Sequence, residues 1–562
     1  MKYTYLLCPI IAMGLSSCVF TTPRAEEGTS FTDESAILGF ERLPAPPSEG
    51  LHGAAWLDFD NDRDLDLFIP AQPGSPNILY RNDNGTFLDV AVSAGVTGGT
   101  GHAGAVAADI NNDGCTDLLA TGTGGIGSPA TNGTPHNLYK NNCNGTFTDI
   151  TATAGITAPH PAMMAAFGDI DNDGDVDLFI TSPGSFATGL TPQTLYMNNG
   201  DDTFSDISVS AGIASSLGGC VVNFVDLDRD GYQDILLGNC NNLAFPSGVG
   251  AAPGIPIPGP WELWHNNGNN TFTDVANTAG LNVRPGFPMA LTIADIENDG
   301  DLDIFATGLG VFFGKPNPTP SEFGLLAEQV LFVNNGDGTF SDGTYSHGLG
   351  GYEWGWGASF ADFDADGDED IFQVGSMPPV FGVLGSGLAS PGHLFQNDGS
   401  GNMSNVDMFG LQDDFVSGLA TTDYDGNGFV DVIILKTAHT FSNLFGQAFT
   451  GNGKPLFLSN NGNSNHSITV ALKGTASNAN GIGARVEAKT GNITRTKIVF
   501  AGTSFASDNG PWLTFGLGQH KFVKLQVTWP SGLIEKFNHV DANQLITLEE
   551  GTGIPVKRNK NK

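Results

Sequence analysis

The sequence predicts an all-β protein: a seven-bladed β-propeller closed by an N-terminal strand, followed by a small β-sandwich domain. Three observations carry this. A nine-residue acidic loop recurs seven times, with starts 51 to 69 residues apart. An aromatic strand and an Asn/Gly turn follow each of the first six loops, so each unit reads as four strands. The strand missing from the seventh unit stands at the other end of the chain. Four-stranded repeats of this length are the sequence form of propeller blades.

The chain opens on what reads as an export signal, residues 1–17: Lys2, then an apolar run to Leu15 that is too short for a membrane span. Leu15-Ser16-Ser17-Cys18 resembles a bacterial lipobox. That resemblance implies cleavage before Cys18 and lipid attachment to it. The expected location is extracytoplasmic, on a membrane through the lipid anchor only, or alternatively secreted. Residues 18–30 read as a linker and 31–463 as the propeller.

The clearest acidic loop is Asp169-Ile-Asp171-Asn-Asp173-Gly174-Asp-Val-Asp177. It offers side-chain oxygens at positions 1, 3, 5 and 9, and a glycine at position 6 where the backbone must turn sharply. A hard cation such as Ca2+ takes six to eight oxygen ligands in a flexible loop. An EF-hand is excluded, because position 12 here is Ile180, Leu237 or Ala306 rather than Glu and the flanks are strand-like.

The expected metal ligands are therefore Asp169, Asp171, Asp173 and Asp177, with the matching residues of six further loops. The first loop supplies Asp58, Asp60, Asp62 and Asp66, and the second Asp109, Asn111, Asp113 and Asp117. The fourth supplies Asp226, Asp228, Asp230 and Asp234, and the fifth Asp295, Glu297, Asp299 and Asp303. The sixth and seventh supply Asp362, Asp364, Asp366 and Asp370, then Asp423, Asp425, Asn427 and Asp431. Up to seven structural Ca2+ ions follow as the cofactor. Arg63 at position 6 of the first loop, Asn111 in the second and Asn427 in the seventh depart from the pattern. The third, fifth and sixth loops are expected to bind best.

After each loop comes a signature such as Asn137-Leu-Tyr-Lys-Asn141-Asn-Cys143-Asn-Gly-Thr-Phe147-Thr-Asp149, read as a hairpin. The seventh unit ends at Pro455-Leu-Phe-Leu458 without it. Ser30-Phe-Thr-Asp33 aligns on Thr146-Phe-Thr-Asp149, so the first strand is expected to complete the last blade and remove an exposed edge. A meander places all seven acidic loops on one face. The Gly/Pro-rich insertions at 121–135, 239–260, 308–328 and 375–392 fall on the other, with Phe245, Ile255, Phe312, Phe313 and Phe381. Binding residues concentrate on loops held by a rigid scaffold, so a protein or glycan ligand is expected on the face opposite the calcium loops.

Export permits disulfides. Cys220 precedes the fourth loop by six residues and Cys240 follows it by six, so a symmetric hairpin sets them opposite each other. Cys115 sits at position 7 of the second loop and Cys143 on the same face. The expected bridges are Cys115–Cys143 and Cys220–Cys240. The net charge is −37, and 31 of the 60 acidic residues lie inside the seven loops. This excludes nucleic acid as a partner.

From residue 464 the acidic loops cease. Strand-like runs at 467–472, 484–489, 496–500, 523–529 and 545–549 form the sandwich domain, taken as 464–550, with a basic tail over 551–562. Residues 464–562 hold 12 Lys/Arg against 6 Asp/Glu, so this domain is expected to dock electrostatically on the acidic propeller.

The acidic loops between strands resemble the FG-GAP (VCBS-type) repeats of integrin α-chain propellers. Gly481-Ile-Gly-Ala-Arg-Val486, Phe515-Gly-Leu-Gly518, Val527-Thr-Trp-Pro-Ser-Gly532 and Asp541-Ala-Asn-Gln544 closely resemble the ASPIC/UnbV domain. Ser477-Asn478-Ala479 departs from it by lacking a basic residue after Ser-Asn. The domain order resembles the cartilage acidic protein family and its bacterial relatives. These resemblances imply a calcium-binding, extracytoplasmic propeller.

No Gly-x-Ser-x-Gly elbow, Cys-x-x-Cys pair or phosphate-cradling loop is present. His52, His102 and His160 precede the first three loops and read as strand-start residues rather than metal ligands. The function expected is a surface scaffold for adhesion or ligand binding. A polysaccharide-active enzyme, or an accessory protein in assembly or biosynthesis, is the alternative.

Overall fold

Each acidic loop joins two antiparallel strands, and two more strands extend the pair into a four-stranded meander. This is seen in a computed structural model that describes residues 29–39, 52–70, 75–99, 101–122, 135–156, 162–182, 192–213, 215, 217–241, 259–284, 288–308, 328–352, 355–375, 392–407, 416–436, 440–442, 448–450 and 454–556. The proposed signal, Cys18, His160 and most of the four insertions with their five apolar residues lie outside the described residues.

Seven four-stranded sheets lie among the described residues. Blade 1, for example, runs Ala55–Leu57, Asp66–Ile69, Ile78–Asn82 and Phe87–Asp89. The first strands of successive blades lie side by side, and that of blade 7, Val416–Thr422, returns to that of blade 1. The wheel is therefore closed. Phe31–Asp33 supplies the missing outer strand of blade 7, with Phe31 opposite Asn460 and Asp33 opposite Leu458. The inner strands are buried along their length and rich in Ala and Gly, as in Ala165–Gly168 and Gly357–Ala361. Small side chains let seven backbones converge on an axis.

The C-terminal domain is a sandwich of a three-stranded sheet, centred on His466–Lys473, and a five-stranded sheet. Their facing side chains, among them Val486, Phe515, Val527 and Trp529, form its core. Sequence patterning missed strands Leu513–Gly518 and Ile534–Asp541, and set Ile493–Ile498 three residues too late. The expected tail also begins too early, because Ile554–Pro555 pairs with Ile534–Asp541.

This domain sits on the acidic-loop face and sends residues 501–509 down the propeller axis. The segment reaches every blade. In order from blade 1, Trp56 N–H donates to Asp508 O at 3.0 Å, Ala105 N–H to Ala506 O at 3.1 Å and Phe167 N–H to Ala501 O at 3.1 Å. Asn223 donates to Gly502 O at 2.7 Å, and Ser504 N–H to Leu291 O at 3.0 Å. Ala358 N–H donates to the Ser504 hydroxyl at 3.2 Å and Thr421 N–H to Asn509 Oδ1 at 2.9 Å. A Cβ on Gly53 would collide with Ala506 O, so close approach explains that glycine. Docking is thus more than charge attraction. Among the described residues Lys497 pairs with Glu369 at 2.5 Å across the junction.

Candidate metal centres

The loop backbone is set by its own side chains. The position-1 carboxylate accepts the position-6 amide, as in Gly114–Asp109 at 2.7 Å, Gly174–Asp169 at 3.1 Å and Gly367–Asp362 at 2.8 Å. The position-5 oxygen accepts the position-7 amide, as in Asp175–Asp173 at 2.9 Å and Phe429–Asn427 at 2.8 Å. Position 6 is left-handed, as its glycine implies, with φ 94° at Gly174. Arg63 takes the same φ of 76° without a glycine's freedom.

Position 4 is left-handed too, which sequence reasoning overlooked: Asn61, Asn112, Asn172, Arg229, Asn298 and Ala365 have φ between 55° and 63°. Asparagine at four of these positions was the signal. The asparagines stitch their loops to the next: Asn61 donates to Gly114 O at 3.0 Å, Asn112 to Gly174 O at 3.0 Å and Asn172 to Gly231 O at 2.9 Å. Arg229 and Asn298 continue the ring to Gly300 O and Asp368.

The position-9 residue carries more structure than a closing ligand needs. Asp66, Asp117, Asp177, Asp303, Asp370 and Asp431 each accept the amide of position 2 on one oxygen. The other oxygen takes the amide of an asparagine in the third strand, at 2.6 Å for Asn141 and 2.8 Å for Asn198. The same asparagines bridge blades through their side chains. Asn141 reaches Phe59 O, Asn198 reaches Ile110 O and Asn266 reaches Ile170 O, each at 2.8 Å. Asn82 reaches Tyr424 O at 3.3 Å and so links blade 1 to blade 7. The sequence shows this residue in every unit, but only as the end of an aromatic strand.

Four of the seven loops hold carboxylate oxygens that are buried and have no hydrogen-bond partner: Asp60, Asp169, Asp171, Asp362 and Asp423, each through Oδ1. In the first, third and fourth loops, three acidic side chains bring oxygens within 4.8 Å of one another. The position-5 residues Asp62, Asp113, Asp173, Asp230, Asp299, Asp366 and Asn427 are exposed, so each loop is open to solvent on one side. Burial raises the position-1 acids: Asp58, Asp109 and Asp226 to about 6, and Asp169, Asp295 and Asp423 to about 7. Asp362 is raised as well. Burial likewise lifts Asp66 to about 9 and Asp117 and Asp303 to about 8. Unpaired, desolvated carboxylates converging on one point fit an oxygen-seeking cation. Every donor in these sets is a hard oxygen.

Cys115 and Cys143 form the expected disulfide, with Cα atoms 5.6 Å apart, between the second loop and the following turn of the same blade. Cys220 is disulfide-bonded too, and the side chain of its expected partner Cys240 lies outside the described residues. His52 is buried, and burial lowers it to about 4. His102 lies between Asn77 and Asn137, at 3.1 and 2.8 Å.

The FG-GAP-like repeat model matches residues 58–120, 130–180, 254–306 and 327–372, and the ASPIC and UnbV model matches 474–555. The chain is an FG-GAP-repeat protein with a C-terminal ASPIC/UnbV domain. It is similar to cartilage acidic protein 1 of Mus musculus, 23% identical over 522 residues that cover 86% of this chain and 71% of that one. The Homo sapiens protein is 23% identical over 540 residues, covering 90% and 72%. A solved Agrocybe aegerita lectin, described as recognising non-reducing terminal N-acetylglucosamine, aligns at TM-score 0.36 and 16% identity over 72% of this chain and 95% of its own. FG-GAP repeats together with the similarity to cartilage acidic protein 1 point to an extracellular ligand-binding scaffold. The structural disulfide agrees with an extracytoplasmic compartment.

Proposed function

We propose that this FG-GAP protein is a calcium-stiffened scaffold outside the cell, displaying a rigid wheel for adhesion or ligand binding. The observation that carries the calcium reading is the set of buried, unpartnered oxygens of Asp60, Asp169, Asp171, Asp362 and Asp423. Leaving such atoms unpaired costs about 1–3 kcal/mol each, and more when charged. An ion at each loop would satisfy them and draw the desolvated acids back to their ionised form. Asp171 and Asp173 would complete the third site with Asp169 and Asp177, and the other loops would follow the same pattern.

The ASPIC/UnbV domain covers the acidic-loop face and fills the axis. This supports a partner site on the opposite end of the blades, where a protein or glycan would meet the connections between second and third strands. A lipid on Cys18 would hold the wheel at a membrane surface.

Two measurements test this. Equilibrium dialysis against millimolar calcium is expected to leave several ions on each chain. Glycan and protein arrays probed with and without chelator are expected to lose their signal in chelator. A chain that takes up no calcium overturns the reading.

A further inference from the structure

The fourth acidic loop differs from the others in what overlies it. In blade 6 the residue before the blade-bridging asparagine reaches the acidic loop of its own blade, where Gln396 donates to Asp364 at 3.2 Å. The matching residues of the other blades are Arg81, Lys140, Met197, Val333 and Ser459. In blade 4 it is His265. Its Nδ1 stands 3.2 Å from Asp234 Oδ1 and 3.4 Å from Asp228 Oδ2. The donor atoms of the three side chains lie within 4.8 Å of one another.

Asp234 is also held differently. It is 2% exposed, and its Oδ1 accepts the Asn266 amide at 2.9 Å. In the six other loops the second oxygen of this aspartate accepts the position-2 amide, at 3.0 Å in Phe59–Asp66 and 3.2 Å in Phe363–Asp370. Among the described residues Leu227 makes no such bond. Asp234 is instead fixed through Oδ1, the oxygen that also faces the imidazole nitrogen.

We propose that Asp228, Asp234 and His265 hold a divalent first-row transition-metal ion, such as Zn2+ or Mn2+, where the other loops take calcium. Zn2+ bonds to imidazole nitrogen and carboxylate oxygen are about 2.0–2.2 Å long. Neighbouring ligands around such an ion then stand roughly 3.0–3.5 Å apart, which includes both distances observed here. An imidazole ligand suits borderline ions and disfavours calcium, which prefers oxygen. His265 binds through Nδ1 in its neutral form, with its proton on Nε2. Asp226 and Asp230 lie close enough to Asp228 to complete the set.

The inference rests on the reading of the loops as cation sites, and the test separates the two. Full-length protein is stripped with chelator, returned to millimolar calcium and titrated with Co2+, followed by visible absorption. The wild type is expected to hold one Co2+ against calcium. His265→Asn is expected to weaken Co2+ binding about tenfold or more, with melting temperature and calcium uptake unchanged. His347→Asn, which removes a histidine 3.5 Å from Glu297 in the neighbouring blade, is expected to leave Co2+ binding as it was. Equal Co2+ affinity in wild type and His265→Asn overturns the proposal, as does displacement of Co2+ by calcium. Failure of the stripped chain to take up calcium counts against the loop reading instead, and the Co2+ titration still decides the role of His265.

Discussion

Removing calcium should weaken the wheel by an amount that depends on pH in a direction opposite to that of the loaded protein. Extracellular calcium modules bind with Kd of about 10⁻⁴–10⁻³ M. At about 1 mM ion, each site then adds roughly 0.4–1.4 kcal/mol by mass action. The four loops with orphaned oxygens give about 2–6 kcal/mol, and all seven about 3–10 kcal/mol. Unfolding entropy of about 2.1 cal/mol/K per residue, over the roughly 430 residues of the propeller, converts this to a fall of about 2–10 °C on chelation.

The pH signature is sharper than the shift. In chelator, Asp58, Asp109 and Asp226 sit near 6, Asp169, Asp295 and Asp423 near 7, and Asp117 and Asp303 near 8. The same groups titrate near 3.9 in an unfolded chain. The folded state therefore binds more protons between these limits, and its stability falls as pH rises through about 6 to 8. With calcium present only ionised carboxylates ligate, so stability falls as pH drops instead. Melting curves read from tryptophan fluorescence, with calcium or with EDTA at pH 5.5, 6.5, 7.5 and 8.5, would show the crossing. Identical melting temperatures in the two conditions, or a chelated protein that gains stability as pH rises through this window, would refute the reasoning.

Other consequences follow from single side chains. Asn198→Ala removes hydrogen bonds to Ile110 O and Val176 O across a blade junction and should cost about 2–4 kcal/mol, whereas exposed Asn199→Ala should cost under about 1 kcal/mol; urea titration compares them. Arg63→Gly should stabilise the first loop by about 1 kcal/mol, because it relieves a left-handed arginine, and would be read by the same titration. Replacing Cys115 and Cys143 by serine opens a closure spanning 28 residues and should cost about 3–4 kcal/mol, seen as a lower urea midpoint without reductant.

The wheel was legible because its determinants are local and repeated. A nine-residue loop written seven times fixes where two strands meet, and counting the strands left over in the last unit reveals that Phe31–Asp33 must close the ring. The Cys115–Cys143 bridge was legible for the same reason, since both residues hold fixed places within one meander. Residue types alone also identified the loops as sets of hard donors.

What only the tertiary structure decided involves partners far apart in the chain. No local pattern marks residues 501–509 as a plug, because the hydrogen bonds that seat them go to seven strands far away in the sequence. The bridging asparagines look like strand ends until the adjacent blade places a carbonyl 2.8 Å from Asn141 and Asn198. His265 reads as an ordinary strand residue until folding sets it above Asp228 and Asp234. Sequence period determines the repeating unit; which atoms face each other between units depends on how seven of them curve into a ring, and a linear pattern does not contain that curvature.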